Sequence, residues 1–422
     1  MNIDEQIRNR RAMEALRNGV PNSDAVIALG CNQSEIEAKF QQQLLDTSRA
    51  IARGLQNEGM IVGGDFGSGK SHLLQYLMHY ALKENFVCSK IVISKETPLF
   101  DPAKLFRAAI ECAVVPKKRG SAMTETATAL DPKSSKYKDF YIWTQQKRGL
   151  NTRFAATLFL YERMRNDPEL SNRIIRFWSG DRISSSEIKR YLKACRERVN
   201  YEIENISQKE LSLQRFKFTA RLVAAAGYSG WVLLIDETEL IGRYSLLQRA
   251  KSYAELARWM GKLNDESDFA GLTAVFSITT DFYSAILEGR DDINKIPAKL
   301  KAKGSKSELL LASQARRGMQ IIQNELQVLR PPDTEVLEQT YEMLKAIHAK
   351  AYDWEPPPVK TAERLITTQM RQYIKTWITE WDLKRLDKDY QPEIEVEPLE
   401  RDYSEDRNLV VETEEDDIDK LA

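Results

Sequence analysis

Residues Gly64-Asp65-Phe66-Gly67-Ser68-Gly69-Lys70-Ser71 constrain this 422-residue chain more than any other stretch. They satisfy G-x-x-x-x-G-K-[ST] at every position, and each residue type has a physical reason to be there. The glycines let the backbone curl until successive N–H groups face one anion. Lys70 adds a point charge for β- and γ-phosphates, and the Ser71 hydroxyl is placed to ligate Mg2+. His72 opens the apolar run HLLQYLMHYALKEN (72–85), which reads as a helix whose first N–H groups serve the same anion. Ahead of the loop, GMIVGGD (59–65) reads as a short buried strand. Strand, glycine loop and helix together make a phosphate cradle running from Gly64 to His72.

A cradle binds; hydrolysis needs more. WVLLIDETE (231–239) is an apolar strand that delivers Asp236 and Glu237 at its carboxyl end. Asp236 is placed to hold Mg2+ through water and Glu237 to polarise the attacking water, with Glu239 as the alternative base. An Asp-Glu pair here marks P-loop NTPases with an added strand between the two motifs. The next strand, LTAVFSIT (272–279), is therefore expected beside the P-loop strand. Thr279 at its end is the first candidate to touch the γ-phosphate or the lytic water, and Thr280 the second. Transition-state charge also calls for an arginine from a neighbouring subunit. Arg316 and Arg317, ahead of the short strand LQVLR (326–330), are the first candidates and Arg290 the next. A trans arginine implies a homo-oligomer. The expected ligands are ATP and Mg2+.

The remaining chain divides by pattern. Residues 1–58 read as an N-terminal helical segment, closed in part by Gly19 and Pro21, with a capping-box spacing at Ser34 and Glu37. Residues 59–114 form the first part of an ATPase core, with a second strand at 86–94 and a helix through 105–114. From 115 to 214, lysines, serines and helix-spaced aromatics replace strand signals, so this reads as a helical insertion. Residues 215–332 complete the core, and 333–390 form a helical C-terminal part interrupted by Pro356-Pro357-Pro358. The fold class expected is α/β, a P-loop NTPase of AAA+-like type with a parallel sheet.

Charge and composition narrow the function classes. The chain carries 62 basic and 62 acidic side chains, but 391–422 holds thirteen acidic and three basic ones. That tail has a net charge of −10 on a +10 body, and its low apolar content reads as disorder. Basic stretches at Lys117-Lys118-Arg119, Lys189-Arg190 and Lys299, Lys301, Lys303 and Lys306 could meet the phosphates of double-stranded DNA, or could equally be solvated faces. The four cysteines are scattered and no run of 18 apolar residues occurs. A cytoplasmic protein with no membrane contact and no structural zinc is expected.

The chain resembles the P-loop ATP-binding proteins of BREX-type bacterial phage-defence loci, a family related to AAA+ and origin-recognition-type ATPases. The resemblance is carried by GVPNSDAVIALG (19–30), GGDFGSGKSHLLQYL (63–77), VISKETPLFDP (92–102), LLIDETELIGRY (233–244) and LKAIHAKAYDW (344–354). It implies ATP as the nucleotide, an AAA+-like assembly, and work beside other defence-system proteins on or near DNA. Two functions follow from residues and resemblance together. One is an ATPase acting at DNA in a multi-protein complex. The other is a nucleotide-dependent scaffold that recruits a protein partner with little turnover.

Overall fold

The computed structural model describes residues 3–146, 149–195, 201–263, 269–359, 369–391, 403–406 and 409. Six strands form one sheet: β1 (Met60–Gly63), β2 (Val87–Val92), β3 (Ala113–Val114), β4 (Trp231–Asp236), β5 (Leu272–Ile278) and β6 (Gln327–Val328). Their spatial order is β3-β2-β4-β5-β1-β6. Every pairing is parallel except β2 with β3, so the architecture is mixed α/β.

Parallel strands must bury both faces, and these do by alternation. Ile61, Leu233, Ile235, Ala274 and Phe276 point into one apolar cluster. Met60, Val62, Val232, Leu234 and Val275 point into another on the opposite face. The second cluster is closed by helices Ser34–Ile51 and Lys70–Lys83, through Ile36, Phe40 and Leu44 of one and Leu73, Leu74 and Leu77 of the other. The first is closed chiefly by helices Pro102–Glu111, Gln208–Ala225, Leu246–Trp259 and Lys306–Asn324. The last two pack so closely that a Cβ on Gly318 would collide with the Tyr253 carbonyl.

The insertion carries its own core. Helices Ala122–Thr128, Ser135–Gln145, Thr152–Arg163, Pro168–Trp178 and Ser185–Ala194 gather Phe140, Phe154, Phe177 and Trp178. No sharp end divides it from the sheet at 214. Helix Gln208–Ala225 runs straight through that position, giving Phe218 and Leu222 to the insertion cluster and Phe216 and Val223 to the sheet cluster. Terminal regions meet in a fourth cluster. Helices Ile3–Asn18 and Ser23–Leu29 bury Met13, Leu16 and Leu29 against Leu344, Trp377, Ile378 and Trp381 of helices Thr334–Tyr352 and Met370–Leu386.

Three local expectations need correction, and one helix goes unread. Ala113 and Val114, expected in a helix, form the antiparallel edge strand β3, because the helix ends at Glu111 and Val114 pairs with Cys88. The cap of helix 34–51 is Gln33, not a Ser34 capping box. Gln33 is held there by tertiary contact, its amide exchanging bonds of 3.0 and 2.9 Å with the Arg330 backbone. The helix Asp292–Lys303 escapes sequence reading because it contains Pro297. Last, the acidic tail is not wholly unpacked. Tyr403 and Leu409 lie against the sheet cluster, and Glu405 and Asp406 pair with Arg249 and Arg243. One aromatic and one leucine supply the apolar anchor that a net-charge reading passes over. The other residues of that tail, apart from 391 and 404, lie outside the described ones.

Candidate functional site at the carboxyl edge of the sheet

In an open parallel sheet, ligand sites form beyond the carboxyl ends of the strands. Here β1, β4 and β5 end in step: Gly63 is in register with Ile278, and Ile235 with Phe276. Because β5 lies between β1 and β4, the loop 64–71, the Asp236-Glu237 pair and Thr279 emerge at one edge. The expected adjacency of strand 272–278 to the P-loop strand is what the sheet contains. Gly64 N–H donates to the Ile278 carbonyl at 3.2 Å, joining the loop to the neighbouring strand end.

The loop has the form of an anion cradle. Gly67 (φ +78°) and Gly69 (φ +105°) occupy the left-handed region that only glycine enters without cost. A Cβ on Gly64 would strike the Ser68 hydroxyl, so a side chain there would have to displace Ser68. Lys70 is buried, its Nζ donating to the carbonyls of Gly64 at 2.7 Å and Asp65 at 3.1 Å. The loop thus folds back over its own ammonium. Ser68 Oγ is buried without a hydrogen-bond partner among the described residues, a donor left over inside the curl. Helix 70–83 begins here, and the first N–H groups of a helix have no partner within it. An oxyanion fits this donor set.

Beyond the cradle, Asp236 is buried and its Oδ1 accepts from Ser277 Oγ at 2.5 Å and from Glu237 N–H at 3.1 Å. Both bonds hold the carboxylate in one orientation. Glu237 is exposed and sits at φ +57°, uncommon for a non-glycine residue. Such backbone strain tends to collect where a side chain must be aimed. Glu239, the alternative base, is buried in the following turn. Among the described residues no three His, Cys, Asp or Glu side chains gather as a metal site. Mg2+ does not need one: it is commonly held by one or two protein oxygens plus phosphates and waters. Ser71 with Asp236 is that kind of set.

Thr279 is buried, with its hydroxyl against Tyr403 Oη at 2.8 Å, while Thr280 Oγ1 donates to the Asp65 carboxylate of the cradle. Phe66 is partly exposed at the loop tip. The His72 side chain points elsewhere. The ring is turned to the Gly30 carbonyl at 2.9 Å, and burial lowers its pKa, so only its backbone N–H is left for the cradle. Arg316 and Arg317 lie on helix 306–324; Arg316 is exposed and Arg317 is 3.7 Å from Glu325. Arg290 is engaged with the Gly242 carbonyl at 2.7 Å. The basic stretches are exposed in a turn (117–119), on helix 185–194 and across helices 292–303 and 306–324, with Lys118 and Lys303 paired to Glu125 and Glu308.

Three nearby residues escaped sequence reasoning. Ser277 is one, an unremarkable serine in an apolar strand. Lys90 on β2 is another. Its Nζ donates to the Ser71 carbonyl at 3.3 Å, and burial lowers its pKa against the opposing pull of Asp236 and Glu237. The third is Arg371, at the start of helix 370–386. Its backbone N–H donates to the Gly67 carbonyl at 3.2 Å and its guanidinium lies 5.7 Å from the Phe66 ring centre. Gly19 admits this arginine, since a Cβ there would collide with the guanidinium. Only Lys90, two residues from the end of its strand, carried any usable signal.

A cradle for phosphate, an oriented carboxylate and a strained glutamate at one sheet edge define a nucleotide-binding class of protein. The family model of the BREX system ATP-binding protein BrxC/D matches residues 5–128 and 144–380, and the chain belongs to that family. ATP is accordingly its nucleotide, and its setting is the BREX defence system. A comparison with curated proteins returns no match. Among the described residues no helix is long and apolar enough to cross a membrane.

Proposed function

We propose that the chain is an AAA+-like P-loop ATPase that hydrolyses ATP. The observation that carries this reading is the convergence of the 64–71 loop, Asp236-Glu237 and Thr279 at one edge through the order β4-β5-β1. Lys70 and the N–H groups of the loop and helix hold the β- and γ-phosphates. Ser71 and Asp236 would hold Mg2+, which when bound would neutralise charge on the phosphate oxygens. Glu237 accepts a proton as water attacks the γ-phosphorus; the bond to the β-bridging oxygen breaks, leaving ADP and inorganic phosphate. Thr279 faces the γ-phosphate or that water. Arg371 adds a cation from the same chain at the mouth of the loop. Arg316 or Arg317 reaches the site of a neighbouring copy in a homo-oligomer. In the cytoplasm the protein works beside other defence-system proteins on or near double-stranded DNA, which the exposed lysines meet through phosphates.

The test is Glu237→Gln, which keeps shape and a hydrogen-bonding oxygen but removes the charge that takes the proton. Steady-state turnover should fall ~10²-fold or more while ATP affinity stays within a few-fold. Turnover within threefold of the unaltered protein removes Glu237 from the role and moves it to Glu239.

A further inference from the structure

We propose that the C-terminal contacts made by Tyr403, Glu405, Asp406 and Leu409 form an autoinhibitory latch that withholds the Thr279 hydroxyl from the nucleotide. The inference rests on the reading of Thr279 as the group facing the γ-phosphate. It begins with hydrogen-bond polarity. Tyr403 Oη donates to the Asp281 carboxylate at 2.9 Å, and a phenol has a single proton to give. The contact between Tyr403 Oη and Thr279 Oγ1, at 2.8 Å, must then run the other way, with threonine donating. Thr279 also has one proton. While the chain Thr279 to Tyr403 to Asp281 is intact, Thr279 accepts hydrogen bonds but cannot donate one to a phosphate oxygen, which is itself an acceptor. Docked tail and a Thr279–phosphate bond exclude each other.

The segment is placed by several further contacts. The Tyr403 ring packs edge-on to Phe282 at 6.3 Å between centres, and Leu409 reaches the sheet cluster. Asp406 accepts from Arg243 at 2.9 Å, and its backbone N–H donates to the Arg243 carbonyl at 3.1 Å. Glu405 pairs with Arg249 at 2.7 Å. That arginine is itself buried in a bidentate pair with Asp292, at 2.8 and 2.9 Å. The tail therefore adds an acid to an arginine already neutralised, and Glu405 is 55% exposed. Partly solvated pairs of this kind are weak and screened by salt. The latch is located by many contacts and held strongly by none, as a releasable device must be. It also lies beyond residue 380, where the family match ends.

The experiment compares the full-length chain with Tyr403→Phe, which keeps the ring but removes the hydroxyl bridge, and with Glu405→Ala/Asp406→Ala. Both are expected to raise ATP turnover three- to tenfold and, because docked tail and bound nucleotide oppose each other, to bind the ATP analogue several-fold more tightly. Raising the salt concentration should narrow the gap for the unaltered protein, because salt loosens the same pairs. A second arm needs no hydrolysis: saturating a slowly hydrolysed ATP analogue should release the tail and speed tryptic removal of the C-terminal segment. Turnover in Tyr403→Phe at or below that of the unaltered protein overturns the latch. So does cleavage that is indifferent to the analogue. If no Glu237-dependent turnover exists at all, the hydrolytic reading falls, and the protease arm alone decides the latch.

Discussion

The floor and the rim of the nucleotide site are built on different plans. The floor is local: Gly64 through Ser71 lie within eight residues, and Lys70 bonds to carbonyls only five and six residues back. Asp236 joins it through the end of a neighbouring strand. The rim is assembled from afar. Arg371 comes from a helix some 300 residues downstream of the loop it touches, and Tyr403 arrives 124 residues after the threonine it holds. Local geometry is enforced by backbone conformation, which short sequence motifs encode directly. Distant geometry depends on packing, here on the cluster in which Met13 and Leu16 meet Trp377 and Trp381. The floor should accordingly be rigid and indispensable, and the rim adjustable.

That contrast can be broken or sharpened by experiment. The largest effect is expected from Lys70→Ala, which deletes the buried ammonium of the floor. Charge-assisted bonds of this kind are worth about 1.5–3 kcal/mol each, so ATP affinity measured by calorimetry should fall ~10²-fold or more. Unchanged binding would sink the cradle itself. A smaller loss, roughly tenfold in affinity, is expected for Arg371→Ala, because a guanidinium at the mouth remains partly solvated. Should Arg371→Ala match Lys70→Ala, the rim is as indispensable as the floor and the distinction fails.

The smallest effect concerns pH and the packing beneath the floor, where Cys31 lies against the cluster closed by helix 70–83. Burial pushes the Cys31 thiol up to about 11, opposed by a hydrogen bond from the Gln33 backbone and aided by Glu37. A pKa raised on folding contributes stability that is full below the ordinary thiol value of ~8.5 and is lost as pH rises through the folded value. Comparing melting midpoints of the unaltered protein and Cys31→Ala from pH 8 to 11 should show any advantage of the thiol shrinking across that window. A constant difference would mean that folding does not shield the Cys31 thiol from water.

Much of the floor was legible in the order of residues. Glycine spacing, a lysine and a serine specify a curled backbone wherever they occur between a strand and a helix, and WVLLID announces a buried strand ending in acid. The alternation of Met60, Ile61 and Val62 between two clusters also follows from the period of a strand. Other features could not be read. Ala113 and Val114 look helical by composition but become an edge strand because β2 offers an unpaired side. His72 looks like part of the cradle, yet its ring is drawn away by the Gly30 carbonyl. Arginines are common, and nothing local marks Arg371 or separates Arg243 and Arg249 from the rest. A tail of net −10 reads as solvated unless Tyr403 and Leu409 are seen to have an apolar surface to meet. The residues within one turn or strand of each other determined the phosphate cradle, because their conformations are set by sterics and hydrogen bonds along the chain. The tertiary structure decided which distant cation stands at the mouth and which hydroxyl holds the Thr279 proton, because both depend on where whole helices come to rest.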